Sequence, residues 1–486
     1  MMKNTIMFRS ITLFFLILIV IACQKEQPTS ANTTPLVRVL VNGEILPFET
    51  VSPVLQGDLI LLPIKPILEK LGYQCSLNPQ DASLVGFRNN SALLLRALED
   101  QFILDQQAYY HLARPYFTKG SLMVESRLLN YLDHVFIEWD EETNSLQVYD
   151  YDQLDLGLYF YGYEDEVSSF DDAVGCQKLV SGQENPFFDP TKPTIIWIHG
   201  WQNGGVVSKS RPSFYLNKNG ITKHVQNQWI NDGWNVAIFH WVQLADELLP
   251  YDAESKINAW NNNDVDMRWK KADGSYIIDS MPQNSVATLF AEAYEQLAMK
   301  QQNSIIRLAG SSFGGQVALH GSELIKNRGL APLPDRIALL DIAWTLNYVD
   351  NEALYTNEIT ARAVDDLSPF VPIEYYRTSL LTTLFTPNEL IEKSAFQEMV
   401  FDYAGSWDIE LKHTVITYHY FWSKEHSLPL AYDAQLNPVG EGLSARSSNQ
   451  EVRQKMGINY HWQHIQGKQT FDPSDDEFER QDGPGY

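Results

Sequence analysis

The sequence predicts an α/β fold with a mainly parallel sheet, preceded by a small α+β domain, and three observations predict it. Apolar runs at residues 195–198, 236–239, 305–308 and 337–340 are short and, Arg307 apart, apolar or β-branched, as strands covered on both faces must be. Longer segments separate them, and one, 286–299, carries Leu, Phe, Ala and Tyr at helical spacing. Strands alternating with helices give a parallel sheet with functional groups at the carboxyl ends of its strands. Upstream, Gly57-Asp58-Leu59-Ile60-Leu61 recurs as Gly120-Ser121-Leu122-Met123-Val124, and Leu77-Asn78 as Trp139-Asp140. Each copy reads as strand, helix (64–71 or 127–132), turn and strand, a module built twice.

The chain begins with an export signal over residues 1–22: Lys3 and Arg9 precede an apolar stretch, 11–22, too short to cross a bilayer as a helix. It ends Val20-Ile21-Ala22-Cys23, which resembles the bacterial lipoprotein signal. That resemblance implies a diacylglyceryl anchor on Cys23, and Gln24 after it implies the outer membrane or cell surface of a bacterial envelope. A cleaved secretory signal with an incidental Cys is the plainer alternative. Residues 23–35, rich in Gln, Pro, Ser, Thr and Asn, suit a flexible tether.

In a chain of 486 residues with 44% hydrophobic positions there is material for two folded parts. The net charge of -25 repels phosphate backbones and excludes nucleic acid as an expected partner. Acids concentrate at 472–482, so the tail 471–486 is expected to be disordered. Besides Cys23 only Cys75 and Cys176 are present, which gives no disulfide framework; one bridge and two free thiols both remain open.

The doubled module, 36–150, with Val39-Leu40-Val41-Asn42-Gly43 ahead of the first copy, resembles the copper amine oxidase N-terminal-like (stalk) domain of bacterial surface proteins. The resemblance implies envelope attachment or spacing and no copper site, since no His or Cys ligands cluster there. A folded spacer with no further role is an equal reading.

The chemistry is expected in 151–470. A strand ending Leu308-Ala309 runs into Gly310-Ser311-Ser312-Phe313-Gly314-Gly315, followed by a helix-compatible stretch, 316–327. In this G-x-S-x-G pattern the nucleophile sits at a sharp strand-to-helix turn, and only Gly on either side leaves room for the neighbouring strand and helix. Ser312 is the candidate nucleophile, and the Phe313 amide, at a helix start, faces a developing oxyanion. A second oxyanion donor must come from another loop; the amide of Trp201, in His199-Gly200-Trp201-Gln202 after a strand, is the candidate, with His199 shaping the loop without moving protons. The strand 337–340 ends in Asp341, placed to hold a histidine's tautomer; Asp365, Asp366, Asp402 and Asp408 are its rivals. The base must follow the acid in chain order, which selects His413, with His419 and His426 as rivals.

These residues resemble the pancreatic-type lipase family of the α/β-hydrolases. Ile198 to Trp201 is similar to its oxyanion segment, Asn235 to Trp241 to its next strand, Gly310 to Gly315 to its elbow, Leu340-Asp341-Ile342-Ala343 to its acid motif, and His413 with Tyr418 and Tyr420 to its histidine segment. The resemblance implies an α/β-hydrolase fold and a serine hydrolase of carboxylic esters, of acylglycerol or other lipid type. It works through Ser312, Asp341 and His413 and an acyl-enzyme, without metal or cofactor. Ile342 stands where the family usually has Pro, the family's disulfides are absent, and 245–282 looks inserted. That segment and 367–385 could cover the cleft, although ordinary core helices and loops are the plainer reading. A lipid-anchored binding protein on an inactive hydrolase fold is the alternative. His461 and His464 lie three apart with no partner ligands evident, which reads as a solvated or packed pair.

Overall fold

The computed structural model describes residues 37–164, 175–218, 220–259, 267–349, 352–378, 382, 385–401, 408–466 and 472–483. The export signal, Cys23 and the tether lie outside them. Among the described residues no helix is long and apolar enough to cross a membrane.

In the N-terminal part the repeated segments pair with one another. Leu59–Pro63 and Ser121–Glu125 run antiparallel with Val124 opposite Leu62, and each carries its own hairpin partner, Val54–Gln56 and Tyr116–Thr118. A sheet built from two equivalent hairpins buries both apolar faces at once, which neither copy could do alone. The first copy continues into the α-helix Ile64–Lys70. The second differs from expectation: Ser126–Tyr131 is a 3-10 helix, opened by the Glu125 side chain accepting from the Arg127 amide. Leu62, Ile67, Leu68, Val124, Leu128 and Leu129 share one core.

The remaining chain builds around one large sheet, twelve-stranded among the described residues. In chain order its strands are β1 Gly157–Tyr161, β2 Cys176–Lys178, β3 Thr194–Ile198, β4 Asn235–His240, β5 Ile306–Ser311, β6 Arg336–Leu340, β7 Ile373–Arg377, β8 Ala395–Glu398, β9 Leu430–Tyr432, β10 Pro438–Glu441, β11 Tyr460–Gln466 and β12 Asp476–Asp482. Their spatial order is β2-β1-β4-β3-β5-β6-β7-β8-β11-β12-β9-β10, and the run from β4 to β11 is parallel throughout. The helices α1 Val286–Lys300 and α2 Phe313–Arg328 cover one face with a core that includes Phe290, Tyr294, Val317 and Leu319. Helix α3, Ile409–Trp422, belongs to the other core, where Phe214, Trp229, Tyr420 and Phe421 meet. Strands buried on both faces explain why these runs are apolar without alternation.

Residues 472–483 of the acidic tail are ordered, contrary to the expectation from its charge; 471 and 484–486 lie outside the described residues. Pro473–Asp475 forms a 3-10 turn, and β12 pairs with β11 along its whole length. The acids hid an alternation in which Asp476 and Phe478 point inward while Glu477 is exposed, and Phe478 is only 1% exposed. Burying an aromatic ring of that size offsets the charge on the outer face. Cys75 and Cys176 are both free.

Candidate active site

Register places the site. Ile198 lies opposite Gly310 in the β3–β5 ladder, and Ser311 lies opposite Leu340 in the β5–β6 ladder. The loops that leave these three strands therefore start level with one another, at one edge of the sheet. The chain goes from β3 outward to β4 and then returns to the far side of β3 as β5. A crevice opens where strand order reverses in this way, and it lies at the strands' carboxyl ends.

Ser312 occupies this edge with φ 54° and ψ -129°, a conformation that costs a residue with a side chain about 1–3 kcal/mol. A β-carbon on Gly314 would collide with the carbonyl of Ile198, and one on Gly310 with the backbone of Gly314 and Gly315. The turn is thus closed by strand on one side and helix on the other. Directly across, a β-carbon on Gly200 would stand 2.5 Å from Ser312 Cβ and 2.9 Å from its Oγ. The loop after β3 accordingly lies against the serine side chain, and Phe313 is the first residue of α2.

Three further groups hold that loop. His199 is fully buried, its Nδ1 2.9 Å from the Gly200 carbonyl and its Nε2 accepting from the Trp241 amide at 3.1 Å. Burial pushes its pKa down to about 3, so it stays neutral with its proton on Nδ1, a structural residue. Asp246 accepts from the amides of Gly204 and Val206, both at 2.8 Å, and from Lys270 Nζ at 2.7 Å. The Trp201 indole donates to the Glu247 carbonyl at 2.7 Å. Sequence reasoning missed Asp246 and Glu247, because they act on a loop far away in the chain.

At the end of β6, Asp341 adopts φ 49° and is completely buried. His413 Nδ1 lies 2.6 Å from its Oδ2. The Thr378 amide and the Thr382 hydroxyl donate to Oδ1 at 2.8 and 2.9 Å. A carboxylate fixed on both oxygens keeps the Nδ1 proton on the imidazole and leaves Nε2 as the basic nitrogen. Thr378 and Thr382 carried no signal in the sequence, since their value comes from standing beyond the end of the neighbouring strand β7.

The rivals are engaged elsewhere. Asp365 and Asp366 face Lys393 and Lys326 at 3.7 and 3.8 Å on the surface, and Asp408 caps α3 by accepting from the Leu411 amide. Asp402 lies outside the described residues. His419 bonds Asp476, and His426 lies 3.7 Å from Asp472.

The two candidate flaps divide. In 245–282, Ala245, Ala253, Ile257, Met267 and Trp269 are buried in the core, and buried Glu254 binds Gln316 and the Thr345 amide. Leu248, Leu249 and Tyr251 of the same segment are exposed by 73%, 56% and 51%. In 367–385, Leu367 and Val371 belong to the core, and residues 379–381 and 383–384 lie outside the described set.

Comparison with known proteins gives one family. Residues 40–148 match the model of the copper amine oxidase N-terminal domain. Among the described residues the one convergent group of three metal-ligating side chains lies outside this span. No curated protein is significantly similar to the chain. Among solved structures, a thioesterase domain from the curacin biosynthetic pathway is 9% identical over 47% of this chain and 91% of its own, at TM-score 0.24. A lipase-esterase related protein from Clostridium acetobutylicum is 10% identical over 46% and 90%, at TM-score 0.23. A thermostable esterase is 13% identical over 71% and 72%, at TM-score 0.26. Likeness at this level establishes neither fold nor activity.

Proposed function

We propose that this chain is a serine hydrolase of α/β-hydrolase type that cleaves carboxylic esters, with lipid esters such as acylglycerols as its substrates. The observation that carries the reading is a strained serine at a strand-to-helix turn, one strand away from buried Asp341, which holds a partly exposed His413. In the proposed reaction His413 Nε2 takes the Ser312 proton as Oγ attacks the ester carbonyl. The amides of Trp201 and Phe313 hold the tetrahedral oxyanion, and water then releases the acyl group. Exposed Leu248, Leu249 and Tyr251, following directly on the residue that holds Trp201, support an apolar acyl chain over a small soluble ester. Anchorage through a diacylglyceryl group on Cys23 in a bacterial envelope belongs to the same proposal, supported by the signal sequence alone.

The test is hydrolysis of p-nitrophenyl esters from acetate to palmitate by the form starting at Ser30, with Ser312→Ala alongside. Loss of turnover by a factor on the order of 10⁴–10⁶ is expected in the variant, with the wild type favouring long chains and labelling with a fluorophosphonate. A wild type that turns over no ester and refuses the fluorophosphonate would sink the enzyme reading.

A further inference from the structure

Six residues beyond His413 on α3, His419 meets two groups from the C-terminal hairpin. Its Nε2 lies 2.7 Å from Asp476 Oδ2, and His464 Nε2 lies 2.9 Å from Asp476 Oδ1. All three residues are buried, and their ligand atoms fall within 4.8 Å of one another. We propose that His419, His464 and Asp476 form a binding site for a divalent cation of the zinc class, which ties α3 to the β11–β12 hairpin.

The hydrogen bonding of His464 carries the argument. Its Nδ1 faces the Val400 carbonyl at 2.9 Å, and a carbonyl oxygen only accepts, so the ring proton belongs on Nδ1. The lone pair on Nε2 then points at a carboxylate oxygen. That contact is repulsive unless a proton or a metal ion stands between them. A second ring proton would give an imidazolium with no exposure, paired with the carboxylate that His419 also faces, and a metal ion is the other occupant that satisfies all three groups. A metal-bound histidine commonly donates its other ring N–H to a backbone carbonyl, as His464 does to Val400.

The surroundings suit the same occupant. Phe401 packs on both imidazoles, with ring centroids 5.3 and 5.8 Å away, and Phe478 packs on His464 at 5.2 Å. An apolar shell of this kind strengthens a charged centre. A small cavity borders His419 and Asp476 and is also lined by Ser423 and His426. A water in this cavity would complete four-coordination. Two nitrogens and one oxygen favour zinc, or cobalt as its probe, over calcium, which takes oxygen ligands. With metal–ligand bonds of about 2.0–2.2 Å, each of the two short N···O contacts widens by about half an ångström, one ring nitrogen facing each carboxylate oxygen. The role is positional: at a rise of about 1.5 Å per residue the site lies about 9 Å along the helix from His413.

Metal analysis of the purified full chain, cobalt(II) titration followed by absorbance, and thermal melts with zinc or chelator test this. About one equivalent of zinc and a tetrahedral cobalt spectrum are expected, with a melting point that zinc raises and chelator lowers. His464→Gln and Asp476→Asn should lose the metal, whereas His461→Gln, on the same strand but outside the cluster, should keep it. X-ray absorption of zinc-loaded wild type should count at least two imidazole ligands, a readout that stands if the variants do not fold. A folded wild type that takes up neither metal makes the cluster a hydrogen-bonded one only and overturns the proposal. So does full metal retention by folded His464→Gln, or the absence of imidazole from the zinc shell.

Discussion

Ser312 concentrates a conflict between stability and chemistry in one residue. Its positive φ and extended ψ favour glycine, yet a glycine carries no nucleophile. Ser312→Gly should therefore stabilise the fold by about 1 kcal/mol, raising the melting point by about 1–2 °C in a chain of this size, while hydrolysis disappears. Ser312→Ala should lose the activity without that gain. Calorimetry on both variants checks it; a destabilised glycine variant would show that the backbone carries no strain. Asp341 illustrates the same scale differently, since its function depends on Thr378 and Thr382, which hold the oxygen that His413 does not use.

At the scale of elements, the loop after β3 and the hairpin β11–β12 show how distant segments fix local geometry. Asp246 binds two amides of that loop, which Gly200 brings against the serine. The hairpin buries Phe478 and brings Asp476 to helix α3. If β12 is an integral strand, Phe478→Ala should cost about 3–5 kcal/mol, visible as a large drop in the denaturation midpoint. A tail without fixed structure would show no change.

In the whole molecule, the N-terminal part is fastened to the large sheet by a cationic side chain. Arg211 is largely buried, with 15% of its side chain exposed; it stacks 4.5 Å from Tyr149 at the end of the first part and 4.6 Å from Tyr159 of β1, and pairs with Asp155. Beside it, Gln147 donates to the Cys176 carbonyl at 2.6 Å, and burial pushes the Cys176 thiol up to about 12. Arg211→Ala leaves Asp155 buried with only Lys178 as a cationic partner, 3.5 Å away. The two parts should then melt separately in calorimetry, and Cys176, inert to a thiol reagent at pH 8 in the wild type, should become reactive. One unchanged transition and a thiol that stays silent would show that the parts are held together without this residue.

The sequence by itself determined what depends on near neighbours. The apolar runs of β3 to β6, the G-x-S-x-G turn with Ser312 and the strand-end position of Asp341 are patterns of a few consecutive residues, and the doubled module is a repeat that a linear comparison detects. Tertiary structure alone decided whatever depends on residues far apart in the chain: which acid meets His413, what supports the Gly200 loop, and the convergence of His419, His464 and Asp476. It also decided the fate of the acidic tail. Net charge describes a segment in water, whereas the alternation that buries Phe478 acquires meaning only against a neighbouring strand. Side chains that meet across folded elements leave no fixed spacing in sequence, because the loops between them vary in length without changing where the sheet places their ends.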